Sequence, residues 1–135
     1  MLSTYIIGDR GTNSPVLSDP KALLFDITKN LLVIPVDLAQ INKATTPPGP
    51  SAYGTFVWQG AYVFNITLTK GFVLTGSVTQ ITGTINPNDG SYWNYTNLFI
   101  NRSLYIGNTL YTISNAKVQL NDLKSLAKIA EINLN

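Results

Sequence analysis

The run Lys21-Ala22-Leu23-Leu24-Phe25 recurs in the second half of the chain as Arg102-Ser103-Leu104-Tyr105-Ile106, so that two similar segments start 81 residues apart. A second apolar run follows each of them, at residues 31–34 and at residues 109–113. A repeated unit of this kind cannot bury both of its faces alone and must stack on a neighbour. The sequence therefore predicts an all-β fold of two four-stranded antiparallel units packed face to face.

The composition is that of a single folded domain with an unusually uncharged surface. Of the 135 residues, 44% are hydrophobic and only 12% are charged, whereas an average soluble domain has roughly 25% charged residues. Thr, Ser and Asn supply most of the remaining polarity. A surface of hydroxyl and amide groups suits an extracellular or glycosylated protein.

Several function classes are excluded by residue types that the chain lacks. It contains no cysteine and no histidine, which rules out disulfides, a Ser-His-Asp triad and metals held by thiolate or imidazole. The net charge of +2 is too small for a nucleic-acid surface. No apolar stretch approaches the roughly 20 residues that span a bilayer, and the N-terminus lacks the positive region of a secretory signal. We therefore expect no nucleic-acid partner, no membrane span and no signal peptide in this chain.

The first predicted unit covers about residues 20–80. Its four strands are predicted at residues 21–25, 31–36, 61–68 and 72–80, with hairpin turns after the first and third. The stretch Thr45-Thr46-Pro47-Pro48-Gly49-Pro50 cannot continue a sheet. We therefore expect an exposed loop over residues 37–59, and loops of this length are often either functional or tolerated insertions.

The second predicted unit covers about residues 101–135, after an irregular segment at residues 81–100 that is rich in Asn, Gly and aromatic residues. Its strands are predicted at residues 103–106, 109–114, 117–120 and 126–134. The last of these has an alternative, because residues 123–130 contain good helix formers behind a potential Asp122 cap. The repeat favours a strand over residues 127–134.

A set of segments in fixed order carries a resemblance to a known family. These are Gly8-Asp9-Arg10-Gly11-Thr12, residues 21–25, 30–36 and 57–63, and residues 102–106 together with 111–114. In this order they resemble the C-terminal part of an uncharacterised family of secreted archaeal and bacterial proteins that contain a β-propeller domain. The resemblance covers most of the chain, and it implies two adjacent blades of a partial propeller and an extracellular or surface location.

Two blades are fewer than the four or more that close a propeller ring. We therefore expect an open face at each end of the stack, with Leu23, Val33, Val63 and Leu104 partly uncovered. Copies of the chain could assemble into a ring, another chain could supply the missing blades, or the N-terminal strand and long loops could fold over the open faces. Self-association is the favoured of the three, because a heterologous interface that closes by rotation generates a ring.

The densest polar cluster is Asp9-Arg10-Gly11-Thr12, which the resemblance places before the first strand of a blade, where loops face the channel mouth. A carboxylate beside a guanidinium can bind an anion or stabilise a developing charge. Asp9, Arg10 and Thr12 are therefore candidate binding residues, and Asp9 with Arg10 are the residues that a hydrolase or lyase would use. The alternative, which we favour, is an ion pair that fixes the loop to the sheet.

Aromatic residues in the two irregular regions form a second candidate site. Trp58, Tyr92, Trp93 and Tyr95 can stack on a sugar or anchor a protein partner. They can equally cover an open blade face, which we consider the more frequent use of such residues.

Two further kinds of site have weaker sequence support. Asp9, Asp19 and Asp26 could supply oxygen ligands to Ca²⁺, although no calcium-loop spacing is present, so we expect no metal and no other cofactor. Asn65, Asn94 and Asn101 each begin an N-x-[ST] sequon. Of these, Asn65 has the least chance of modification, since it is predicted in an inner strand.

The sequence is best interpreted as a non-catalytic binding or assembly module of an extracellular or surface β-propeller protein. Its expected partners are further copies, other propeller blades, or a protein or carbohydrate ligand. One alternative is a hydrolase or lyase at the propeller mouth that uses Asp9 and Arg10. Another is a truncated fragment without an independent role.

Overall fold

Two four-stranded antiparallel sheets make up the fold. The computed structural model describes residues 3–42, 49, 52–86, 90 and 92–134. The first sheet contains, in spatial order, β1 (Leu24–Asp26), β2 (Leu31–Gln40), β3 (Thr55–Thr67) and β4 (Gly71–Val78). The second contains, in the same order, β5 (Arg102–Ile106), β6 (Thr109–Ile113), β7 (Lys117–Asp122) and β8 (Lys128–Asn133). A short helix, α1 (Tyr92–Tyr95), lies in the connection between the sheets. The predicted all-β fold of two blade-like sheets is confirmed, and the sheets do not close into a ring.

Tight hairpins join the strands in pairs, because residues at the turns adopt backbone angles that most side chains avoid. Asn30 closes the β1–β2 turn with φ of 52°, and Gly71 and Gly107 have φ of 67° and 59° at the β3–β4 and β5–β6 turns. These are left-handed conformations that Asn tolerates and Gly adopts freely. The four hairpin turns lie at one end of the molecule, which we call the hairpin end; the Lys29 Nζ at one turn is 3.5 Å from the Gly107 carbonyl oxygen at another.

The hydrophobic core lies between the two sheets. Leu31, Val33, Ala61 and Val63 project from the first sheet and are at most 7% exposed. Leu110, which is 0% exposed, meets them from β6. Because alternate residues of a strand face opposite sides, this places every second residue of β2 and β3 at the contact between the sheets.

The N-terminal segment covers part of the outer face of the first sheet. The Ser3 hydroxyl oxygen accepts a hydrogen bond of 3.3 Å from the Phe72 N–H, and the Tyr5 ring meets Phe64 edge to face with 5.0 Å between centroids. Phe64 is 2% exposed as a result of this cover and its strand neighbours. One of the three predicted ways of protecting an open face is therefore present at this end of the stack.

The expected loop over residues 37–59 was too long, and so Trp58 was misplaced. Strand β2 continues to Gln40 and β3 begins at Thr55, with Asp37 opposite Gln59 and Leu38 opposite Trp58. Residues on both sides of the stretch that suggested the loop, such as Asp37 and Gln59, are paired through backbone hydrogen bonds, which do not depend on side-chain type. The prolines of the predicted loop, at positions 47, 48 and 50, lie outside the described residues.

Two of the residues expected to be uncovered are in fact buried. Val33 is 0% and Val63 is 1% exposed, because both face the second sheet. Leu23 and Leu104 are uncovered as expected, with 41% and 39% of their surfaces exposed.

The C-terminal segment, for which a strand and a helix were both considered, is a strand, since β8 pairs with β7 from Lys128 to Asn133.

Candidate functional site

The outer face of the second sheet carries apolar side chains from all four strands. One row across the sheet consists of Leu104, Tyr111, Leu120 and Ala130, and the next consists of Arg102, Ile113, Val118 and Ile132. We call these residues, together with Ile106, the open face. Ile106 and Ile132 are 64% and 56% exposed. Arg102 at the edge of this surface pairs with Asp19, but among the described residues no segment covers Ile106 and Ile132.

The alternation along β6 and β7 shows that this apolar face is not the core face of the sheet. Leu110, Thr112 and Gln119 point toward the first sheet and are buried. The residues between them, including Tyr111 and Val118, point the other way and are only partly buried. Both faces of the second sheet therefore contain apolar residues, which is the pattern of a sheet packed on two sides.

The open face corresponds to the side of the first sheet that forms the core. The two sheets have the same strand order, β1 lies beside β5, and their hairpin turns lie at the same end. The second sheet therefore has the same orientation as the first. The core-forming face of the first sheet is equivalent to the open face of the second sheet, which points away from the first. On the core-forming face of the first sheet, the equivalent row consists of Leu24, Val33, Val63 and Gly76.

Four-stranded antiparallel sheets stacked in one sense are the construction unit of a propeller. The profile of the family described as Beta propeller domain matches residues 1–126. The chain belongs to the β-propeller domain family. No curated protein and no solved structure matches it. The two sheets are accordingly two β-propeller blades, and a β-propeller domain supports a binding or assembly role in general.

The predicted cluster at Asp9, Arg10 and Thr12 lies on the N-terminal loop beside the end of β2. The Asp9 carboxylate accepts a hydrogen bond of 2.7 Å from the Ile41 N–H. The Thr12 hydroxyl donates to the Ala39 carbonyl oxygen at 3.1 Å and accepts from the Ala39 N–H at 3.0 Å. These contacts hold the loop against the strand through backbone groups at the end of β2, and the roles suggested for the cluster stay predictions.

Arg10 makes an aromatic contact in this cluster. Its guanidinium carbon lies 4.7 Å from the centre of the Tyr53 ring, a distance at which the positive charge is attracted to the ring face. Gly11 allows this approach, because it has φ of 107° and an added Cβ would be 3.0 Å from the Tyr53 ring.

The predicted aromatic site is divided between two places. Trp58 is in β3 and packs on Tyr62, with 5.3 Å between ring centroids. Tyr92 belongs to a separate cluster with Phe56 and Phe99, with centroids 4.9 and 5.5 Å away.

The residues of α1 differ in exposure. Trp93 contacts Tyr92 but is 75% exposed, and Tyr95 is partly buried. Trp93 is thus the member of the predicted set whose ring is most available to a partner.

The three aspartates considered for Ca²⁺ are each engaged by different protein groups. The Asp19 carboxylate pairs with the Arg102 guanidinium at 2.8 Å, and the Asp26 carboxylate accepts hydrogen bonds from Thr28 and from the Tyr105 hydroxyl. Within the described part of the chain, no group of three or more acidic side chains is placed to hold a metal ion.

The three sequon asparagines differ in exposure. Asn65 is exposed near the end of β3, although an inner strand was expected to bury it. Asn94 is exposed on α1, and Asn101 is partly buried just before β5.

In the described ranges, no helix is long and apolar enough to cross a membrane.

Several polar residues that the sequence did not single out lie between the blades. The Gln59 side chain bonds both backbone groups of Ile100: its Nε2 donates to the carbonyl oxygen and its Oε1 accepts from the N–H, each at 2.9 Å. Gln80 donates to the Thr112 carbonyl oxygen at 2.9 Å. Burial raises the pKa of Asp37, which lies opposite Gln59 on β2. The only sequence signal for these residues is an amide or carboxylate at a core-facing position of an apolar strand.

Proposed function

We propose that this chain is a non-catalytic assembly module of an extracellular or surface β-propeller protein, and that its open face packs against a further blade. In solutions of the isolated chain, the further blade comes from a second copy. The observation that carries the proposal is the correspondence between the open face and the side of the first blade that forms the core.

The energetic argument is that apolar surface of this extent is costly to leave in water. Burial of a Leu or Ile side chain contributes about 1.5–3 kcal/mol when it is complete. Leu104, Ile106 and Ile132 are from 39% to 64% exposed, so a partner blade would recover much of this free energy. A contiguous apolar patch of this kind is typical of an interaction surface.

The proposed extracellular location is supported by the low share of charged residues and by the exposed sequon residues Asn65 and Asn94. Among the aromatic candidates, Trp93 supports an additional contact to a protein or carbohydrate ligand through its exposed ring.

The proposal is tested by light scattering coupled to size-exclusion chromatography over a dilution series. The unsubstituted chain is expected to show a mass above one copy that falls on dilution. The double substitution Leu104→Lys with Ile132→Lys places two charges on the open face. We expect it to raise the dissociation constant by about 10-fold or more, because centrally buried contacts dominate the affinity of an interface.

The matched control is Ile27→Lys with Leu68→Lys, which changes two apolar residues that are 74% and 99% exposed at the hairpin end. This control should associate like the unsubstituted chain. Circular dichroism and urea unfolding verify that both variants are folded. A chain that is monomeric at every concentration, or an equal effect of both pairs of substitutions, would contradict the proposal.

A further inference from the structure

A cleft of about 390 Å³ opens between the two blades at the hairpin end. Both sheets contribute to its walls. Its lining consists of Lys29, Asn30, Leu31, Val63, Phe64, Asn65, Thr75, Asn108, Leu123 and Lys124. The volume lies within the range of roughly 300–1,000 Å³ that is usual for small-molecule sites.

The cleft has an apolar floor and a polar rim. Leu31 and Val63 form the floor from the first sheet and are 7% and 1% exposed, and the partly buried Leu123 adjoins them from the second sheet. The lysines and asparagines of the lining are exposed around them. Small-molecule sites combine apolar walls with a few polar groups that fix the orientation of the ligand.

The backbone of the rim is fixed by hydrogen bonds between different elements. The Asn30 carbonyl oxygen accepts from the Ile66 N–H at 2.8 Å, which joins the β1–β2 turn to β3. The Asn108 carbonyl oxygen accepts from the Leu123 N–H at 2.8 Å, which joins the turns of the second sheet. The rim residues therefore hold their places without a ligand, which lowers the entropic cost of binding.

The charge of the rim is positive. Lys29 and Lys124 line the cleft, and no carboxylate is found among the described residues that line it. Asp26 and Asp122 lie in the flanking turns, keep their negative charge and do not line the cleft: Asp26 accepts from Thr28 and Tyr105, and Asp122 accepts from the backbone N–H groups of Lys124 and Ser125.

The ammonium group of Lys29 is held in place by neighbouring groups. It lies 5.1 Å from the centre of the Tyr105 ring and 3.5 Å from the Gly107 carbonyl oxygen. An ammonium group has three N–H donors, so this arrangement leaves donors for a ligand anion.

We propose that this cleft binds a small organic anion with an apolar body. The body lies on Leu31, Val63 and Leu123, and the anionic group accepts hydrogen bonds from Lys29 and Lys124. A carboxylate and a phosphate ester share the required chemistry, since both are compact anions with several acceptor oxygens. The cleft is distinct from the open face, so the two proposals are tested independently.

The test is a titration of ¹⁵N-labelled protein, followed by backbone NMR shifts, with phenylacetate, phenyl phosphate and neutral 2-phenylethanol. At least one anion is expected to saturate the shifts of cleft residues with a dissociation constant on the order of 1–10 mM, as suits a ligand of about ten heavy atoms. The neutral alcohol should bind at least about 5-fold more weakly, since it lacks the charge-assisted hydrogen bonds. Tighter binding of phenyl phosphate would assign the natural ligand to phosphate esters, and tighter binding of phenylacetate would assign it to carboxylic acids.

Lys29→Met and Lys124→Met should each weaken anion binding by about 10-fold, because a hydrogen bond to a charged group is lost. The matched control is Lys70→Met, which removes a lysine from another hairpin turn that does not line the cleft. Absence of saturable shifts for both anions, equal binding of the neutral alcohol, or an equal loss in the Lys70→Met variant would overturn the proposal.

Discussion

Individual side chains join the two blades at the hairpin end. The Tyr105 hydroxyl on β5 donates a hydrogen bond to the Asp26 carboxylate on β1. Hydrogen bonds from Thr28 and from Tyr105 lower the pKa of Asp26 from 3.8 to about 2. The unfolded chain therefore binds a proton more readily than the folded chain. The stability contributed by Asp26 is complete above its unfolded pKa and is lost as the pH falls toward about 2.

Substitution Tyr105→Phe tests this bond between the blades. It removes the hydroxyl donor and keeps the ring beside Lys29, so we expect the pKa of Asp26 to rise toward its ordinary value. The measurement is a pH titration of the Asp26 carboxyl carbon by NMR. Tyr95→Phe is the matched control and should leave the titration midpoint unchanged. An unchanged midpoint in Tyr105→Phe would show that the hydroxyl does not stabilise the carboxylate.

Contacts of this kind could not be predicted from the sequence. Asp26 was identified as a turn residue and as a weak candidate for Ca²⁺, and both ideas used only its local neighbours. Its partner Tyr105 is 79 residues away in the chain, and no spacing rule connects two residues at that separation. The same holds for Asp19 and Arg102, whose ion pair also joins segments from the two blades.

At the scale of the strands, the buried Gln59 side chain on β3 fixes the segment that leads into the second blade. The Gln59 side chain on β3 satisfies both the N–H and the carbonyl oxygen of Ile100, which is 0% exposed. Buried backbone groups must be paired, because an unpaired one keeps the full cost of its desolvation. Gln59 thus takes the place of a strand neighbour for a residue that lies just outside β5.

Substitution Gln59→Leu should therefore destabilise the fold despite its apolar character. It leaves two buried backbone groups unpaired at about 1–3 kcal/mol each, so we expect the free energy of unfolding to fall by about 2–6 kcal/mol. Urea unfolding followed by circular dichroism measures this change. Gln40→Leu at the exposed end of β2 is the control, with an expected change of no more than about 0.5 kcal/mol. Similar stabilities for the two variants would contradict the assigned role.

Strand existence was easier to predict than strand length. Apolar runs, turn signals and the repeat located the eight strands found in the described residues, since a run of apolar residues between turns marks a buried strand. It failed for the ends of β2 and β3, where Asp37 and Gln59 face each other across the sheet. Pairing between distant segments extends those strands, and local composition contains no signal for it. The wrong prediction that Trp58 lies in a loop followed from this error.

At the scale of the whole molecule, the two ends of the stack differ. The outer face of the first sheet is partly covered by the N-terminal segment, through the Ser3–Phe72 hydrogen bond and the contact between Tyr5 and Phe64, while Phe25 and Leu74 on that face stay 53% and 38% exposed. The open face of the second sheet has no such cover among the described residues. The sequence repeat predicted two open ends, because a repeat describes what the blades share and not what lies against them.

This asymmetry limits how copies of the chain can associate. A head-to-tail ring needs both outer faces of every copy, whereas an isologous dimer uses one face twice and then stops. While the N-terminal segment lies on the first face, it hinders head-to-tail contacts, and we expect copies to meet through their open faces. We therefore expect the association of the full chain to end at two copies.

The stoichiometry is measured by light scattering at increasing concentration, for the full chain and for a variant without residues 1–7. The full chain should approach a plateau at twice its 14.7 kDa mass. The shortened variant exposes the face around Phe64 and Phe72 and should exceed that plateau, since head-to-tail contacts then become available. Circular dichroism verifies that the shortened variant is folded. Growth of the full chain beyond two copies would show that the N-terminal segment does not protect the first face, and a plateau at two in both proteins would show that only the open face drives association.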